Sequence, residues 1–128
     1  MKTQILVVDD DSKNTFALRA VLQSRGFNCI SAHSAQEGIN HLLENKEIGI
    51  VLMDMMMPDM DGYEAIGKIK QKKALKNIPI IAVTAQAMSG DKEKCLHAGA
   101  SDYLPKPVDI DLLINKINQY LDNGSTNS

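Results

Sequence analysis

The sequence predicts an α/β fold in which five β-strands alternate with five α-helices and form a doubly wound, parallel sheet. Short apolar runs recur along the chain, and a segment with helical periodicity follows each of them. Three runs, residues 5–8, 48–53 and 78–83, are almost entirely apolar. Strands of that composition are covered on both faces, and parallel strands joined by right-handed helical crossovers provide that cover.

The first half of the chain contains three predicted strands and two predicted helices. The strand at residues 4–8 is followed by a helix over 12–25, which Gly26 ends. The strands at 27–32 and 48–53 enclose a helix over 35–44. The third strand runs into the carboxylate of Asp54, and Pro58 and Gly62 interrupt the chain in the segment MMMPDMDG that follows.

The second half continues the alternation with three helices and two strands. Pro79 is acceptable because it opens its strand, where no ladder hydrogen bond depends on its missing N–H. Gly99 ends the fourth helix. The predicted helices span 62–72, 87–98 and 110–121, and the strands span 79–84 and 101–104. We expect one domain over residues 1–121 and a flexible polar tail, DNGSTNS, over 122–128.

Composition excludes several classes of protein. A chain of 128 residues with 44% apolar residues, 23% charged residues and a formal charge of −2 fits one soluble domain without the basic face of a nucleic-acid binder. Only four consecutive apolar residues occur near the N-terminus, so it is neither a secretory signal nor a membrane span. We expect a cytoplasmic protein that binds neither nucleic acid nor membrane. Cys29 and Cys95 lack C-x-x-C spacing and are expected to be reduced, packed thiols.

Polar side chains follow four of the predicted strands. Because the carboxyl ends of parallel strands lie at one edge of a sheet, where ligands bind in such folds, these side chains should meet. A single aspartate after a strand is most often a cap or turn former, but four concerted strand ends weaken that interpretation. In strand order the residues are Asp9, Asp10 and Asp11, then Asp54, Thr84 and Lys106.

These residue types favour phosphoryl chemistry. Neighbouring carboxylates raise one another's pKa unless a cation neutralises them, and oxygen ligands without Cys or His suit Mg²⁺ or Mn²⁺. The metal and Lys106 would bind a dianion, with Thr84 as a neutral donor. Asp54 is then explained as a strand-end carboxylate presented to a phosphoryl group, which it could receive as the nucleophile.

With these motifs the chain resembles the receiver domains of two-component response regulators, the chemotaxis-regulator-like fold, over about residues 3–121. VVDDD, LMDMMMPDMDG, AVTA and YLPKP match the family's acidic pair, phosphoacceptor, switch threonine and lysine in order and spacing. The resemblance implies the flavodoxin-like strand order 2-1-3-4-5. The segment TAQAMSGDKEKCLHAGASDYLPKP resembles receivers of hybrid sensor kinases. A stand-alone regulator and one domain of a longer protein both remain open.

The resemblance also assigns roles at the metal and phosphoryl site. Asp54 would accept the phosphoryl group from a phosphohistidine, either of a histidine kinase or of a histidine phosphotransfer protein. Asp10 would bind Mg²⁺ directly, Asp9 would act mainly through water, and the Met56 main-chain carbonyl would complete the protein's ligands.

Further implied roles concern the switch and its lifetime. Thr84 and Lys106 would bind phosphoryl oxygens, Tyr103 would be the aromatic that rotates with Thr84, and the Lys106–Pro107 peptide would be cis. The output partner would bind the face of residues 87–98, 101–104 and 110–121. Met56 and Gln86 would modulate dephosphorylation, which the thioether of Met56 should keep slow.

Three other functions share part of this pattern. A Mg²⁺-dependent phosphohydrolase of the haloacid dehalogenase type uses an Asp-x-Asp motif, which Asp9 and Asp11 formally satisfy, but it needs a longer chain and leaves the DMMMPDMDG turn unexplained. A flavin module needs a glycine- and hydroxyl-rich phosphate loop, whereas DDDSKN would repel a phosphate. A receiver that has lost phosphorylation is disfavoured because all the required residues are present.

Overall fold

The structure, a computed structural model, describes residues 3–85 and 90–126. Within these residues the chain forms one parallel sheet of five strands in the order β2-β1-β3-β4-β5, with helices between the strands. The predicted class and strand order are confirmed. The strands are β1 (Gln4–Val8), β2 (Asn28–Ala32), β3 (Ile48–Asp54), β4 (Ile80–Thr84) and β5 (Asp102–Pro105). The helices are α1 (Ser12–Ser24), α2 (Ala35–Glu44), α3 (Gly62–Gln71), α4 (Asp91–Ala98) and α5 (Ile110–Thr126).

The apolar strands are explained by two cores, one on each face of the sheet. Alternate residues of β1 point in opposite directions, so Leu6 and Val8 join one core while Ile5 and Val7 join the other. The first core is completed by α2, α3 and α4, and the second by α1 and α5. Every residue of β3 is buried, as expected for a central strand with helices on both faces.

The strand register aligns the ends that carry polar residues. Val8 pairs with Met53, and the next strand pairing places Asp54 beside Val83. Thr84 in turn pairs with Pro105. The residues that follow these pairs therefore emerge in one row at the carboxyl edge of the sheet.

The helix ends differ from prediction in α5. The helix passes through Gly124 and continues to Thr126, beyond the predicted end at residue 121. A glycine stops a helix when it adopts the left-handed conformation, as Gly26 and Gly99 do with φ of 90° and 119°. Gly124 is helical instead. The expected tail is therefore helical in its backbone over 122–126, and the flexibility of the tail and the domain limits remain predictions.

Other local predictions can be compared directly. The Lys106–Pro107 peptide is cis, and Cys29 and Cys95 are buried free thiols, as predicted. Among the residues that the structure describes, no helix combines the length and apolar character needed to cross a bilayer. The predicted start of the fourth helix, residue 87, lies outside the described residues. Within the described residues, α4 begins at Asp91.

Candidate functional site

Three carboxylates lie together at the carboxyl edge of the sheet. Asp9 and Asp10 follow β1, and Asp54 is the last residue of β3. One oxygen from each lies within 4.8 Å of the others. Asp9 and Asp54 are buried, whereas Asp10 is exposed. An all-oxygen group of this size, with one side open to solvent, fits a hard divalent cation such as Mg²⁺.

Lys106 supplies the positive charge of the site. Its Nζ lies 3.7 Å from Asp9 Oδ2 and 3.6 Å from Asp54 Oδ2. The main-chain N–H of Lys106 donates to the carbonyl of Thr84 at 2.8 Å, which fixes the chain just after β5. The ammonium group is therefore held between the two buried carboxylates. Of the residues in this site, Lys106 is the most distant from Asp9 in sequence, and the strand pairing brings the two together.

The carboxylate of Asp54 has a fixed orientation and an unusual electrostatic environment. The N–H of Met56 donates to Asp54 Oδ1 at 3.0 Å. Burial raises the pKa of Asp54 and the neighbouring Asp9 carboxylate adds to the rise, while the Met56 N–H and the Lys106 ammonium act in the opposite direction. An additional cation at this site would therefore favour the ionised, nucleophilic form of Asp54.

The three consecutive acids after β1 have different environments. Asp9 Oδ1 accepts the N–H of Asp11 at 2.9 Å, which orients Asp9 toward the site. The Asp11 side chain instead caps α1, where Oδ1 accepts the N–H groups of Lys13 at 2.9 Å and Asn14 at 3.4 Å. Asp11 is thus occupied as a helix cap, and the formal Asp-x-Asp pattern does not place both of its acids at one site.

The predicted switch residues lie on β4 and β5, the two strands that follow β3 across the sheet. Thr84 ends β4 and is buried, with 2% of its surface exposed. Tyr103 on β5 is partly buried and packs against the core formed with α2, α3 and α4. Burial raises the pKa of Tyr103, and the carboxylate of Asp91 contributes, so the phenol lies within electrostatic reach of the first turn of α4.

A cleft leads to the carboxylates from the side of α1. Its volume is about 540 Å³, and Asp9, Asp54 and Lys106 line one end. Mainly apolar side chains line the remainder; they come from α1, including Leu18 and Val21, from the strands, including Leu52, and from the segment after β5, including Val108. The cleft gives a molecule the size of a side chain or a small phosphate compound a route to Asp54.

One of the two predicted modulators of dephosphorylation, Met56, lies within the described residues. Met56 is 57% exposed and lies two residues beyond Asp54, whose Oδ1 accepts its N–H. Gln86 lies outside the described residues. The predicted output face is described for 90–98, 101–104 and 110–121, while residues 87–89 also lie outside.

Two further contacts near the site were not predicted. Asp59 accepts N–H groups from the first turn of α2, and Tyr63 donates its hydroxyl hydrogen to Asp91 Oδ1 at 3.0 Å. Asp91 is buried, and among the described residues its Oδ2 has no hydrogen-bond partner. Each contact joins residues more than 20 positions apart, so no local spacing in the sequence signals it.

Comparison with known proteins identifies the family. The sequence model of the family described as the response regulator receiver domain matches residues 5–118. The hybrid signal transduction histidine kinase I of Dictyostelium discoideum is 39% identical over 90% of this chain, and the histidine-protein kinase BarA of Shigella flexneri is 40% identical over 91%. The chain spans only 7% and 12% of the length of these kinases. The polar-differentiation response regulator DivK of Brucella ovis is 31% identical over 94% of this chain and 98% of its own.

Solved structures agree with this assignment. The receiver domain of the sensor histidine kinase PA1611 of Pseudomonas aeruginosa, which has a magnesium ion in its active-site cleft, superposes with a TM-score of 0.84 at 32% identity, over 95% of this chain and 99% of that chain. The co-crystal structure of the Saccharomyces cerevisiae phosphotransfer protein Ypd1 with the receiver domain of Ssk1 matches with a TM-score of 0.83 at 29% identity, over 93% and 88%.

These matches support the predicted likeness to receivers of hybrid kinases and give no support to the phosphohydrolase alternative. The carboxylate cluster, the lysine between its buried members and the 2-1-3-4-5 sheet are thus found in a chain whose sequence matches one family over most of its length. The chain belongs to the response regulator receiver domains of two-component signalling systems.

Proposed function

We propose that this receiver takes a phosphoryl group from a phosphohistidine onto Asp54 and that Mg²⁺ is its cofactor, with Mn²⁺ as the alternative ion. The observation that carries the proposal is the cluster of Asp9, Asp10 and Asp54 with Lys106 Nζ 3.6 Å from the Asp54 carboxylate. In this arrangement a nucleophilic carboxylate stands beside both a metal-binding group and a fixed cation.

The chemistry follows from these groups. An Asp54 carboxylate oxygen attacks phosphorus, the P–N bond of the phosphohistidine breaks, and its electron pair leaves on the imidazole nitrogen. The product is an acyl phosphate on Asp54. Lys106 and the Thr84 hydroxyl bind phosphoryl oxygens, because charge on the transferring group must be neutralised for transfer to a carboxylate.

The metal site is assigned to residues of this chain. Asp10 would bind the ion directly, Asp9 through water, and Asp54 and the Met56 main-chain carbonyl would complete the protein's share. When bound, the ion would neutralise phosphoryl charge and the mutual repulsion of the acids. The magnesium ion in the PA1611 receiver supports this assignment.

The donor is proposed to be a histidine kinase or a histidine phosphotransfer protein. The similarity to parts of two histidine kinases and to a receiver solved with the phosphotransfer protein Ypd1 supports both classes. The exchange is stoichiometric, so the chain acts as a signalling domain that catalyses its own phosphorylation and slow dephosphorylation, and it is not a turnover enzyme.

The output is proposed to be a change in partner preference. Phosphorylation would shift an existing equilibrium in which Thr84 and Tyr103 move inward, and the face of residues 87–98, 101–104 and 110–121 would present a different surface to a protein partner. The contact of Tyr103 with the core beneath α4 supports a route from the site to that face.

Intact-mass measurement after incubation with acetyl phosphate and Mg²⁺ tests the proposal. We expect one phosphate adduct on the wild type, none on Asp54→Asn, and loss of the adduct in EDTA. Asp61→Asn is the matched control, because it removes one carboxylate from the adjoining loop and leaves an N-cap residue on α3. An adduct on Asp54→Asn, or undiminished labelling in EDTA, would refute the assignment.

A second measurement tests the donor. Transfer from a phosphorylated histidine phosphotransfer protein should label the wild type and Asp61→Asn and should fail with Asp54→Asn. Continuous release of phosphate from simple phosphomonoesters, without a saturable adduct, would favour a hydrolase and contradict the proposal.

A further inference from the structure

The loop between β3 and α3, residues 55–61, is closed on itself at its base. The N–H of Gly62 donates to the carbonyl of Met55 at 3.2 Å. Met55 and Met57 are buried, whereas Met56 between them is exposed. The N–H of Met56 also donates to Asp54 Oδ1. The residue whose carbonyl is the proposed metal ligand is therefore bonded through its own N–H to Asp54.

The apex of the same loop is fastened to a different helix by Asp59. Its Oδ1 accepts the N–H of Ala35 at 3.3 Å, and its Oδ2 accepts the N–H of Gln36 at 3.4 Å. These N–H groups belong to the first turn of α2, which has no carbonyl partners for them within the helix. Because each carboxylate oxygen receives one N–H, the position and the orientation of Asp59 are both fixed.

The contact is not needed to start α2. Ser34 is the N-cap of that helix, and its hydroxyl oxygen accepts the N–H of Glu37 at 3.1 Å. Asp59 adds a negative charge at the positive end of the helix, across a gap of more than 20 residues in sequence. The bond therefore acts mainly on the loop, whose apex it holds.

Little freedom remains between the two fixed points. Residues 55–58 separate Asp54 from Asp59, and Pro58 has a restricted φ. With Asp59 held by α2 and the Met56 N–H held by Asp54, the chain that carries the Met56 carbonyl is restrained from both ends. Release of Asp59 would let the peptide plane at Met56 rotate.

We propose that Asp59 is a positioning residue for the phosphoryl site: by binding the first turn of α2 it holds the Met56 carbonyl in the direction that Mg²⁺ requires. The inference rests on the proposed function of the site. Groups that orient metal ligands in this way typically affect metal affinity by about 10- to 100-fold, and the exposure of Asp59 favours the lower end.

Titration with MgCl₂ alone, followed by backbone amide shifts in NMR spectra, tests the proposal. We expect Asp59→Ala to bind Mg²⁺ about tenfold more weakly than the wild type. Labelling by acetyl phosphate should slow at low Mg²⁺ and recover at saturating Mg²⁺. Asp59→Asn keeps one side-chain oxygen that can accept an N–H, so its affinity should lie between those of Asp59→Ala and the wild type.

Two control variants separate positioning from stability and charge. Ser34→Ala weakens the start of α2 without touching the loop, and Asp61→Asn removes an equal charge from the loop and keeps its N-cap role. Both should bind Mg²⁺ like the wild type. Three results would each overturn the inference. The first is wild-type Mg²⁺ affinity in Asp59→Ala, and the second is a loss of Mg²⁺ affinity in Ser34→Ala equal to that in Asp59→Ala. The third is an equal loss of Mg²⁺ affinity in Asp59→Asn, Asp61→Asn and Asp59→Ala.

The same titration separates this inference from the proposed function. If the wild type itself binds no Mg²⁺ and carries no phosphate on Asp54, the proposed function fails and the inference fails with it. If the wild type binds Mg²⁺ and is labelled while Asp59→Ala matches it in both, only the positioning role is wrong.

Discussion

Two glycines of α3 provide a matched pair in which the same substitution should have opposite effects. At Gly62 an added Cβ would lie 2.6 Å from the Cα of Met55 and would also meet the Met55 sulfur. At Gly67 an added Cβ would have no neighbour within 4 Å. Gly62 therefore permits a close approach of helix and loop, whereas Gly67 occupies open space on the helix.

The geometry gives the expected magnitudes. Gly67→Ala should stabilise the protein by about 0.5 to 1 kcal/mol, because alanine loses less conformational freedom in a helix. Gly62→Ala gains at most the same amount and incurs an overpacking cost of about 1 to 3 kcal/mol. The cost should lie near the upper value, because a main-chain Cα cannot swing away as the end of a flexible side chain can.

The functional effect of Gly62→Ala should exceed its effect on stability. Met55 follows Asp54 directly, so displacement of its main chain would move Asp54, the proposed phosphoacceptor, and the main chain of Met56. Labelling of Asp54 should therefore fall in the folded fraction of Gly62→Ala and stay at the wild-type level in Gly67→Ala.

Urea unfolding at 25 °C gives the two free energies, and intact mass gives the labelling. A Gly62→Ala protein as stable as the wild type would show that the close approach is not there. A Gly67→Ala protein that is destabilised would show that the space assigned to its Cβ is wrong. Equal labelling of both folded variants would show that the position of the loop main chain does not affect phosphorylation of Asp54.

The remaining predictions concern the lifetime of the phosphorylated state and stability in acid. Met56→Asn should shorten the lifetime of the phosphoprotein by up to about 10²-fold, since an amide can orient an attacking water and a thioether cannot donate a hydrogen bond; unchanged or slower phosphate release in Mg²⁺ would contradict this. Burial alone would raise the pKa of Asp102, but the bond from Lys116 Nζ at 2.9 Å and further hydrogen bonds bring it below its ordinary value. This stabilisation is present above the unfolded pKa of about 4 and is lost as the pH falls through the lower folded pKa. Lys116→Met should therefore be less stable than the wild type by about 1 to 3 kcal/mol at pH 7, and the gap should narrow below about pH 4 in urea titrations; a constant gap down to pH 3 would refute the pairing.

Much of the architecture could be predicted because it depends on patterns that are local in the sequence. A run such as 48–53 is almost entirely apolar, which is typical of a short strand covered on both faces. Gly26 and Gly99 ended their helices because both adopt positive φ. Gly124 is also a glycine but stays helical, so the residue type alone did not determine where α5 ends.

The position of the site could also be predicted, for a reason that does not depend on side-chain packing. Parallel strands share one carboxyl edge, so the residues at the ends of β1, β3, β4 and β5 had to meet there. The proximity of Lys106 to Asp9 and Asp54 is the outcome. The roles assigned to the individual residues come from family resemblance and remain proposals.

The sequence by itself thus determined the sheet, the layers and the edge at which the polar residues gather, because periodicity and strand direction are properties of the chain. Only the tertiary structure decided how the polar groups divide. Asp11 caps α1 while Asp9 faces the site, and Asp59 reaches the start of α2. Asp91 meets the Tyr63 hydroxyl across the gap between α3 and α4. The physical reason is that periodicity specifies which face of an element is buried, whereas a hydrogen bond between distant loops and helices depends on placements of a few tenths of an ångström that are set when the helices pack on the sheet.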